Sequence, residues 1–203
     1  MIYWEHNKYR FDGQVDRFGY FFQYPGTTLK KFTLLNVYSG RGQFIRSILS
    51  MPQSSPHFLG SRRTPLEVEY NRINQTIREK IGGWVGYANT SNFIQTNDIY
   101  YNERGWITAV NNVERLNGDL FAYELNYENP DWISGGTATF NGNISEVAWT
   151  SATNTSGRVH AYSYSYDNLN RLTQARYSAF DPASRDTYYP NDVDLYLPYK
   201  SFI

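Results

Sequence analysis

Short runs of alternating apolar and polar side chains recur along this chain. Leu66–Tyr70, Leu120–Tyr127 and Ala161–Tyr166 each place every second residue on one face, which is the period of a β-strand. Similar runs follow at Ile107–Val110 and Leu172–Tyr177. No segment combines a helical period with capping residues over a length that would sustain a helix. The pattern therefore predicts an all-β fold.

One turn motif separates several of these runs. An aromatic residue is followed four positions later by Gly or Asn, then by a large polar or aromatic residue and an apolar one. A strand connection of this length ends in a residue in the left-handed region, which Gly adopts freely and Asn tolerates. We therefore interpret these positions as structural turn residues. They are Tyr38 and Gly42, Tyr70 and Asn74, Tyr101 and Gly105, and Tyr166, Asp167, Asn170 and Arg171.

A shorter form of the motif occurs at Phe11–Val15 and Phe140–Ile144. Asp-Gly and Asn-Gly are signals for two-residue hairpins, so Phe140 and Gly142 are also predicted turn residues. The sequence thus predicts six antiparallel hairpins. A lone hairpin is marginal in water, so the hairpins must pair edge to edge and share a buried face.

The composition supports a strand-rich fold and argues against a nucleic-acid partner. The 203 residues include 19 Tyr, 12 Phe and 5 Trp, and aromatic side chains suit the pleated surface of a sheet. Lys and Arg together number 19, as do Asp and Glu, so no net field favours nucleic acid. The chain has no Cys, which excludes disulfides and Cys-ligated zinc. It also has no apolar run of membrane-spanning length and no signal-peptide pattern, so we expect no membrane span.

Two stretches resemble the RHS/YD-repeat family. Tyr166–Thr173 reads YDNLNRLT, which is close to the family consensus, and Tyr101–Ile107 through Phe140–Ile144 is similar to a variant from large surface proteins of Bacteroidetes-type bacteria. Only Asp167 forms a true Tyr-Asp pair. From how closely each part of the chain resembles the RHS/YD family, we predict divergent hairpins in 1–65, the repeat region in 66–180 and a trailing repeat or loop in 181–203.

The resemblance implies an extended, curved sheet of successive antiparallel hairpins that forms a strip or part of a shell. In toxin relatives such a shell encloses a C-terminal toxic domain. The partners it implies are neighbouring repeats of the same larger polypeptide, an enclosed toxin domain, or secretion machinery. The protein would be secreted or on the cell surface, with its signal outside this chain, which would then be an internal fragment. The self-cleaving protease that ends toxin shells is not recognisable, so cleavage activity is not carried over.

Two carboxylate pairs offer a competing enzymatic interpretation. Glu67 and Glu69 share one face of a strand, as do Asp192 and Asp194, and two carboxylates are the minimum for a glycoside hydrolase. Their polar surroundings favour a solvated face instead. We therefore expect no catalytic residue, with a carboxylate-dependent hydrolase as the lesser alternative.

Metal and cofactor binding have weak support. The C-terminal acidic residues carry oxygen ligands suitable for calcium but lack the register of a calcium loop. The three histidines lack metal-binding spacing. We expect no metal and no cofactor. The residues concerned are Asp181, Asp186, Asp192 and Asp194, and His6, His57 and His160.

The tryptophans allow a different function. Trp84, Trp106, Trp132 and Trp149 offer surfaces for stacking on sugar rings, so a carbohydrate-binding adhesion module with a glycan partner is the main alternative. Stacking across neighbouring strands is the favoured role for these rings. The leading hypothesis is a non-catalytic structural repeat segment.

Overall fold

A computed structural model describes residues 2–23, 26, 30–50, 62–85, 91–183 and 193–196. These residues form antiparallel strands joined by turns and loops, with no helix among them, so the all-β prediction is confirmed. Accordingly, no helix in the described ranges is long and apolar enough to span a membrane. The chain divides into two compact units, Met1–Asn97 and Asp98–Ile203.

The first unit is an antiparallel meander, in which each strand pairs with the next strand in sequence. A two-residue strand, β7, pairs with β6. The strands are β1 Ile2–Tyr9, β2 Val15–Gln23, β3 Lys30–Tyr38, β4 Phe44–Ser50, β5 Arg62–Tyr70, β6 Thr76–Val85 and β7 Ser91–Asn92.

The second unit contains another antiparallel meander, whose first strand begins just before the boundary. Its strands are β8 Gln95–Tyr101, β9 Ile107–Val110, β10 Phe121–Asn126, β11 Glu146–Ser151, β12 Val159–Tyr166, β13 Leu172–Phe180 and β14 Val193–Tyr196. The boundaries predicted at 65 and 180 rest on the quality of the motif match and stay predictions.

The core of the second unit lies on one face of its sheet. Ala122, Ala148 and Ala161 are fully buried there, because loop segments pack over them. Trp132 and Ile133 of the 127–145 loop join these alanines in one cluster with Val113, Val159 and Phe180. Burying Trp132 contributes roughly 3 kcal/mol. Among the described side chains of the first unit, Val68 is the only buried large hydrophobic residue.

Five hairpin turns share one geometry, which we call the repeat turn. The N–H of the first turn residue donates to the carbonyl of the fifth at 2.7 to 2.9 Å, and the N–H of the fourth donates to the carbonyl of the first at 3.0 to 3.1 Å. The fourth residue has positive φ in every case, from 60° to 81°. The repeat turns are Arg10–Gln14, Ser39–Gln43, Asn71–Gln75, Asn102–Trp106 and Asp167–Arg171.

An aromatic residue ends the strand before each repeat turn, and the pairing register shifts there. Such a shift is a β-bulge, which absorbs the extra residue of the turn. These aromatics are Tyr9, Tyr38, Tyr70, Tyr101 and Tyr166.

The shorter motif at Phe11–Val15 was wrongly predicted as a two-residue hairpin. Its turn starts one residue earlier, at Arg10, and the aromatic at the end of the strand is Tyr9. Gly13 has positive φ (80°), whereas Asp12 does not. A two-residue turn of type I′ would need positive φ at both residues. The first hairpin is therefore a repeat turn like the other four.

The hairpin predicted at Phe140–Ile144 is also wrong. This segment belongs to the 127–145 loop, and no strand leads into it, since β10 ends at Asn126 and β11 begins at Glu146. Gly142 nevertheless has positive φ (95°). The Asn-Gly signal thus marks a left-handed turn position without a hairpin around it.

The second repeat turn offers a matched test of the backbone constraint. Gly42 has φ of 80°, whereas Gly40 of the same turn has no positive φ, and neither glycine has a close neighbour that an added methyl group would meet. We expect Gly42→Ala to lower the free energy of unfolding by about 1 kcal/mol, because a Cβ is strained in the left-handed region. Gly40→Ala should have almost no effect. Urea unfolding followed by circular dichroism measures both, and equal effects would contradict the assignment.

Candidate functional site

Contacts between successive repeat turns link the hairpins of the first unit. Gln14, the last residue of the first turn, donates from Nε2 to the carbonyl oxygen of Gly42 at 3.0 Å. Gln43 occupies the same position in the second turn and donates from Nε2 to Oδ1 of Asn74. The last residue of one turn therefore reaches the left-handed residue of the next turn twice in succession.

The second unit repeats this relation with different side chains. Nδ2 of Asn143 donates to Oδ1 of Asn170 at 3.3 Å, and Nδ2 of Asn141 donates to the same oxygen at 2.6 Å. Trp106, the last residue of its turn, has a ring atom 3.3 Å from the position that a Cβ on Gly142 would occupy. The loop segment around Gly142 thus takes the place of a repeat turn in these contacts.

Tyrosine hydroxyls add a second set of contacts between neighbouring strands. Three tyrosines each donate to the carbonyl of a residue that directly follows a turn on the preceding strand. The pairs are Tyr38 with Val15, Tyr127 with Ile107 and Tyr166 with Ile144, at 2.8, 2.9 and 2.8 Å. Burial raises the pKa of Tyr127 and Tyr166. Both hydroxyls therefore stay protonated and able to donate at neutral pH.

The residue that directly follows the aromatic in the motif is the first residue of the repeat turn, and its side chain caps the turn. In four repeat turns its side-chain oxygen accepts the backbone N–H groups of the third and fifth turn residues, at 2.9 to 3.2 Å. Ser, Asn and Asp side chains make this local bond readily. These residues are Ser39, Asn71, Asn102 and Asp167.

Asp167 is the most strongly bound of these caps. Besides the two backbone bonds, its carboxylate accepts Nε of Arg171 at 2.7 Å. The bond from the backbone N–H of Arg171, with the guanidinium of the same residue, holds the pKa of Asp167 below its ordinary value. The predicted turn residues Asp167 and Arg171 therefore form one capping unit.

A buried carboxylate fixes the 127–145 loop onto the sheet of the second unit. Glu146, at the start of β11, is fully buried. Its Oε2 accepts the N–H groups of Asp131 and Trp132 at 2.8 and 2.9 Å, and its Oε1 accepts the N–H of Ile133 at 2.7 Å. Nδ2 of Asn126 donates to Oε2 at 3.2 Å. Because a buried carboxylate needs such donors, this glutamate and the loop require one another.

An aromatic face covers the other side of that sheet. It consists of Trp149, His160, Tyr162, Tyr164 and Tyr177, all half-buried. Trp149 is stacked against His160 and Tyr162, with interplanar angles of 25° and 14°. Tyr162 also stacks with Tyr164. The rings thus stack on their cross-strand neighbours, which leaves little of the Trp149 ring for a sugar.

Two of the other tryptophans also pack against protein side chains. Trp132 is 4% exposed and lies in the core, so its predicted role in sugar stacking is wrong. Trp106 packs against Tyr127, and the Arg104 guanidinium lies over its ring. Trp84 lies on β6, and its side chain is outside the described part of the structure.

His160 is held as a neutral imidazole. Nδ2 of Asn154 donates to the Arg158 carbonyl at 2.7 Å and lies 3.1 Å from Nε2 of His160. Because this amide nitrogen can only donate, Nε2 must accept, and Nδ1–H donates to the Tyr177 hydroxyl at 2.6 Å. Burial lowers the pKa of His160, and Arg158 lowers it further. His160 is therefore a structural residue of the aromatic face.

The predicted carboxylate pair on β5 is engaged in ion pairs. Nζ of Lys80 lies 3.0 Å from Oε1 of Glu67 and 2.5 Å from Oε1 of Glu69. Arg78 pairs with Glu69 at 3.4 Å. The hydrogen bond to Glu69 raises the pKa of Lys80 despite partial burial. A lysine shared between both carboxylates is unfavourable for a hydrolase, in which one carboxyl group must carry a proton.

The remaining candidates lie partly outside the described part of the structure. No group of three or more metal-ligating side chains occurs among the described residues. Asp181 accepts the N–H of Ala183 at 2.9 Å, as in a turn. The backbones of His6 and Asp194 lie on β1 and β14. The residues His57, Asp186 and Asp192 lie outside the described ranges.

The buried glutamate makes a sharp mutational prediction. Both oxygens of Glu146 accept N–H groups, so Glu146→Gln must turn an amide N–H₂ toward another donor. We expect a loss of about 2 kcal/mol in the free energy of unfolding. Glu124→Gln is the control, because only Oε1 of Glu124 accepts hydrogen bonds, from Asn126 and Trp132, and an amide oxygen can replace it. Urea titration of both variants tests this, and a neutral Glu146→Gln would contradict the loop-fixing role.

His160 should make stability depend on pH. Its pKa is lower in the folded state than its ordinary value of 6.5, so the unfolded chain binds the proton more readily. Stability therefore falls as pH drops below 6.5 and stops falling from this cause below the folded pKa. Thermal unfolding between pH 7 and 5 should show a smaller decline for His160→Gln than for the unmodified chain. An identical decline in both would show that another group is responsible.

Comparison with known proteins assigns no family. No family model matches the chain, and no curated protein matches it. Among solved structures, it is similar to a porin-like protein from Bacteroides uniformis ATCC 8492, with 10% identity and a TM-score of 0.18 over 94% of this chain and 86% of that chain. A likeness at this level carries no argument about function, so the RHS/YD resemblance stays a hypothesis.

Proposed function

We propose that this chain is a non-catalytic structural segment of a larger exported protein, in which successive hairpins extend a β-sheet wall. The observation that carries the proposal is the contact between successive repeat turns. In the first unit, the last residue of one turn reaches the left-handed position of the next, as Gln14 reaches Gly42. In the second unit, Asn143 of the loop segment that takes the place of a turn reaches Asn170.

Contacts between equivalent positions suit a sheet of variable length. The contacts join equivalent turn positions, although the contacting groups differ from one repeat to the next. Stability is then a sum of the stability of single repeats and of their interfaces. The hydrogen bonds that the Tyr38 and Tyr166 hydroxyls donate to backbone carbonyls also join equivalent positions of successive repeats.

The resemblance to RHS/YD repeats suggests the larger assembly. The capping role of Asp167 gives a physical reason for a Tyr-Asp pair, and Ser39 and Asn71 make the same bonds where the Asp is replaced. In a curved sheet of this type, the wall would enclose a C-terminal toxin or effector or serve as a surface scaffold. Its partners would be the neighbouring repeats of the same polypeptide.

The proposal is tested by removing one repeat. Deleting Ser39–Tyr70 joins Tyr38 to Asn71, which restores an aromatic residue followed by a complete repeat turn. We expect the shortened chain to keep a β-sheet circular dichroism spectrum and dispersed amide NMR signals, with lower stability. A wall of stacked repeats tolerates this loss, whereas a domain with one unique core does not.

The matched control removes one strand instead of two. Deleting Ser39–Ser50 takes away a turn and β4, so the next strand can no longer run antiparallel to β3. This variant should not fold. Sedimentation of the unmodified chain provides a second readout, since a slice of a wall has unpaired edges and associates with increasing concentration. Unfolding of the two-strand deletion, or a strictly monomeric chain, would overturn the proposal.

A further inference from the structure

A groove of about 410 Å³ lies in the second unit, between the 127–145 loop and the Asp167–Arg171 turn. Its volume falls within the range of small-molecule sites, roughly 300 to 1,000 Å³. Phe140, Asn143, Tyr164 and Asn170 are among its lining residues. The contacts between turns do not account for this groove, because several of its lining groups take no part in them.

Several polar groups of the lining have no protein partner among the described residues. The Tyr164 and Thr137 hydroxyls, the amide nitrogen of Asn170 and the amide oxygen of Asn143 make no hydrogen bond there. The set contains donors and acceptors within one groove. Two amides bond to Oδ1 of Asn170, and these bonds favour one orientation of its side chain. The polar part of the groove is thus preorganised.

The groove carries no free charge. Asp167 is the charged residue of its lining, and its carboxylate is paired with Arg171 and bonded to two backbone N–H groups. Nothing in the lining would neutralise a phosphate or a sulfate, and Asp167 would repel one. A neutral ligand fits these surroundings best.

One aromatic ring of the groove is open to solvent. The Phe140 side chain is 65% exposed, although exposing a phenyl ring to water is unfavourable. Its backbone is held in place, because Nη1 of Arg104 donates to the Phe140 carbonyl at 2.7 Å. A pyranose has one apolar face and a rim of hydroxyls, which matches an open ring beside unpaired amides and a phenol.

We propose that this groove binds a neutral saccharide unit. Phe140 packs against the apolar face of the sugar ring, and Asn143, Asn170 and Tyr164 bond to its hydroxyls. The site is distinct from Trp106, Trp132 and Trp149, whose rings are buried or packed on their neighbours. The proposal holds whether or not the chain forms part of a wall, and it adds glycan recognition to a structural segment.

The test uses the whole 203-residue chain. A glycan array with neutral and sialylated glycans identifies a binder, and calorimetry with the methyl glycosides of glucose, galactose, mannose and N-acetylglucosamine gives affinities. We expect binding to at least one neutral sugar. Phe140→Ala should weaken it about tenfold, and Tyr164→Phe and Asn143→Ala about fivefold each.

Matched variants separate the groove from general effects. Phe11→Ala removes an even more exposed phenyl ring, which likewise lies two positions before a glycine with positive φ, in the first unit, and Tyr162→Phe removes a hydroxyl from the ring that stacks on Tyr164. Both should bind like the unmodified chain. Tyr164→Phe keeps the ring, so it tests the groove without disturbing the fold. The proposal fails if no neutral sugar binds, if only sialylated glycans bind, or if the controls lose as much affinity as the groove variants.

Discussion

The left-handed residue in the fourth position of the repeat turn is the constraint on which the sheet depends. A positive φ there closes the turn in five residues, and the bulge at the preceding tyrosine absorbs the odd residue. Without that bulge, a one-residue slip would send every side chain of the next strand to the opposite face. The same backbone geometry places the fourth residue beyond the ends of the strands, where the neighbouring turn reaches it.

The second unit shows how the sheet accommodates a departure from this scheme. Tyr127 directly follows β10, and its hydroxyl donates to a backbone carbonyl like those of Tyr38 and Tyr166, yet a long loop follows in place of a turn. Part of the loop packs Trp132 into the core, and Glu146 secures it through backbone N–H groups. The segment of the loop around Gly142 then takes part in the contacts with neighbouring repeat turns. An insertion thus supplies a core for its unit without interrupting the contacts between repeats.

Sequence alone predicted the all-β fold from its alternating runs, and four of the five repeat turns because Gly or Asn at a left-handed position is a local backbone requirement. It misassigned the turn at Phe11 because Asp12-Gly13 is also a signal for a tighter hairpin. It took the loop around Gly142 for a hairpin because strand pairing depends on residues far away. The role of Glu146 had no local signal: a glutamate in an alternating strand looks solvated until the loop that covers it is known. The groove likewise combines residues from distant segments.

The choice between Gly and Asn in the repeat turn has a mechanical consequence. At Gly42 the neighbouring turn bonds to a backbone carbonyl, so only the Gln14 side chain can rotate out of that link. At Asn170 it bonds to a side-chain oxygen, so both side chains of the link can rotate while the backbone stays in place. A link to an asparagine side chain is therefore more compliant than a link to a glycine carbonyl. A sheet assembled from such repeats has an elasticity that varies along its length with the identity of one residue per repeat.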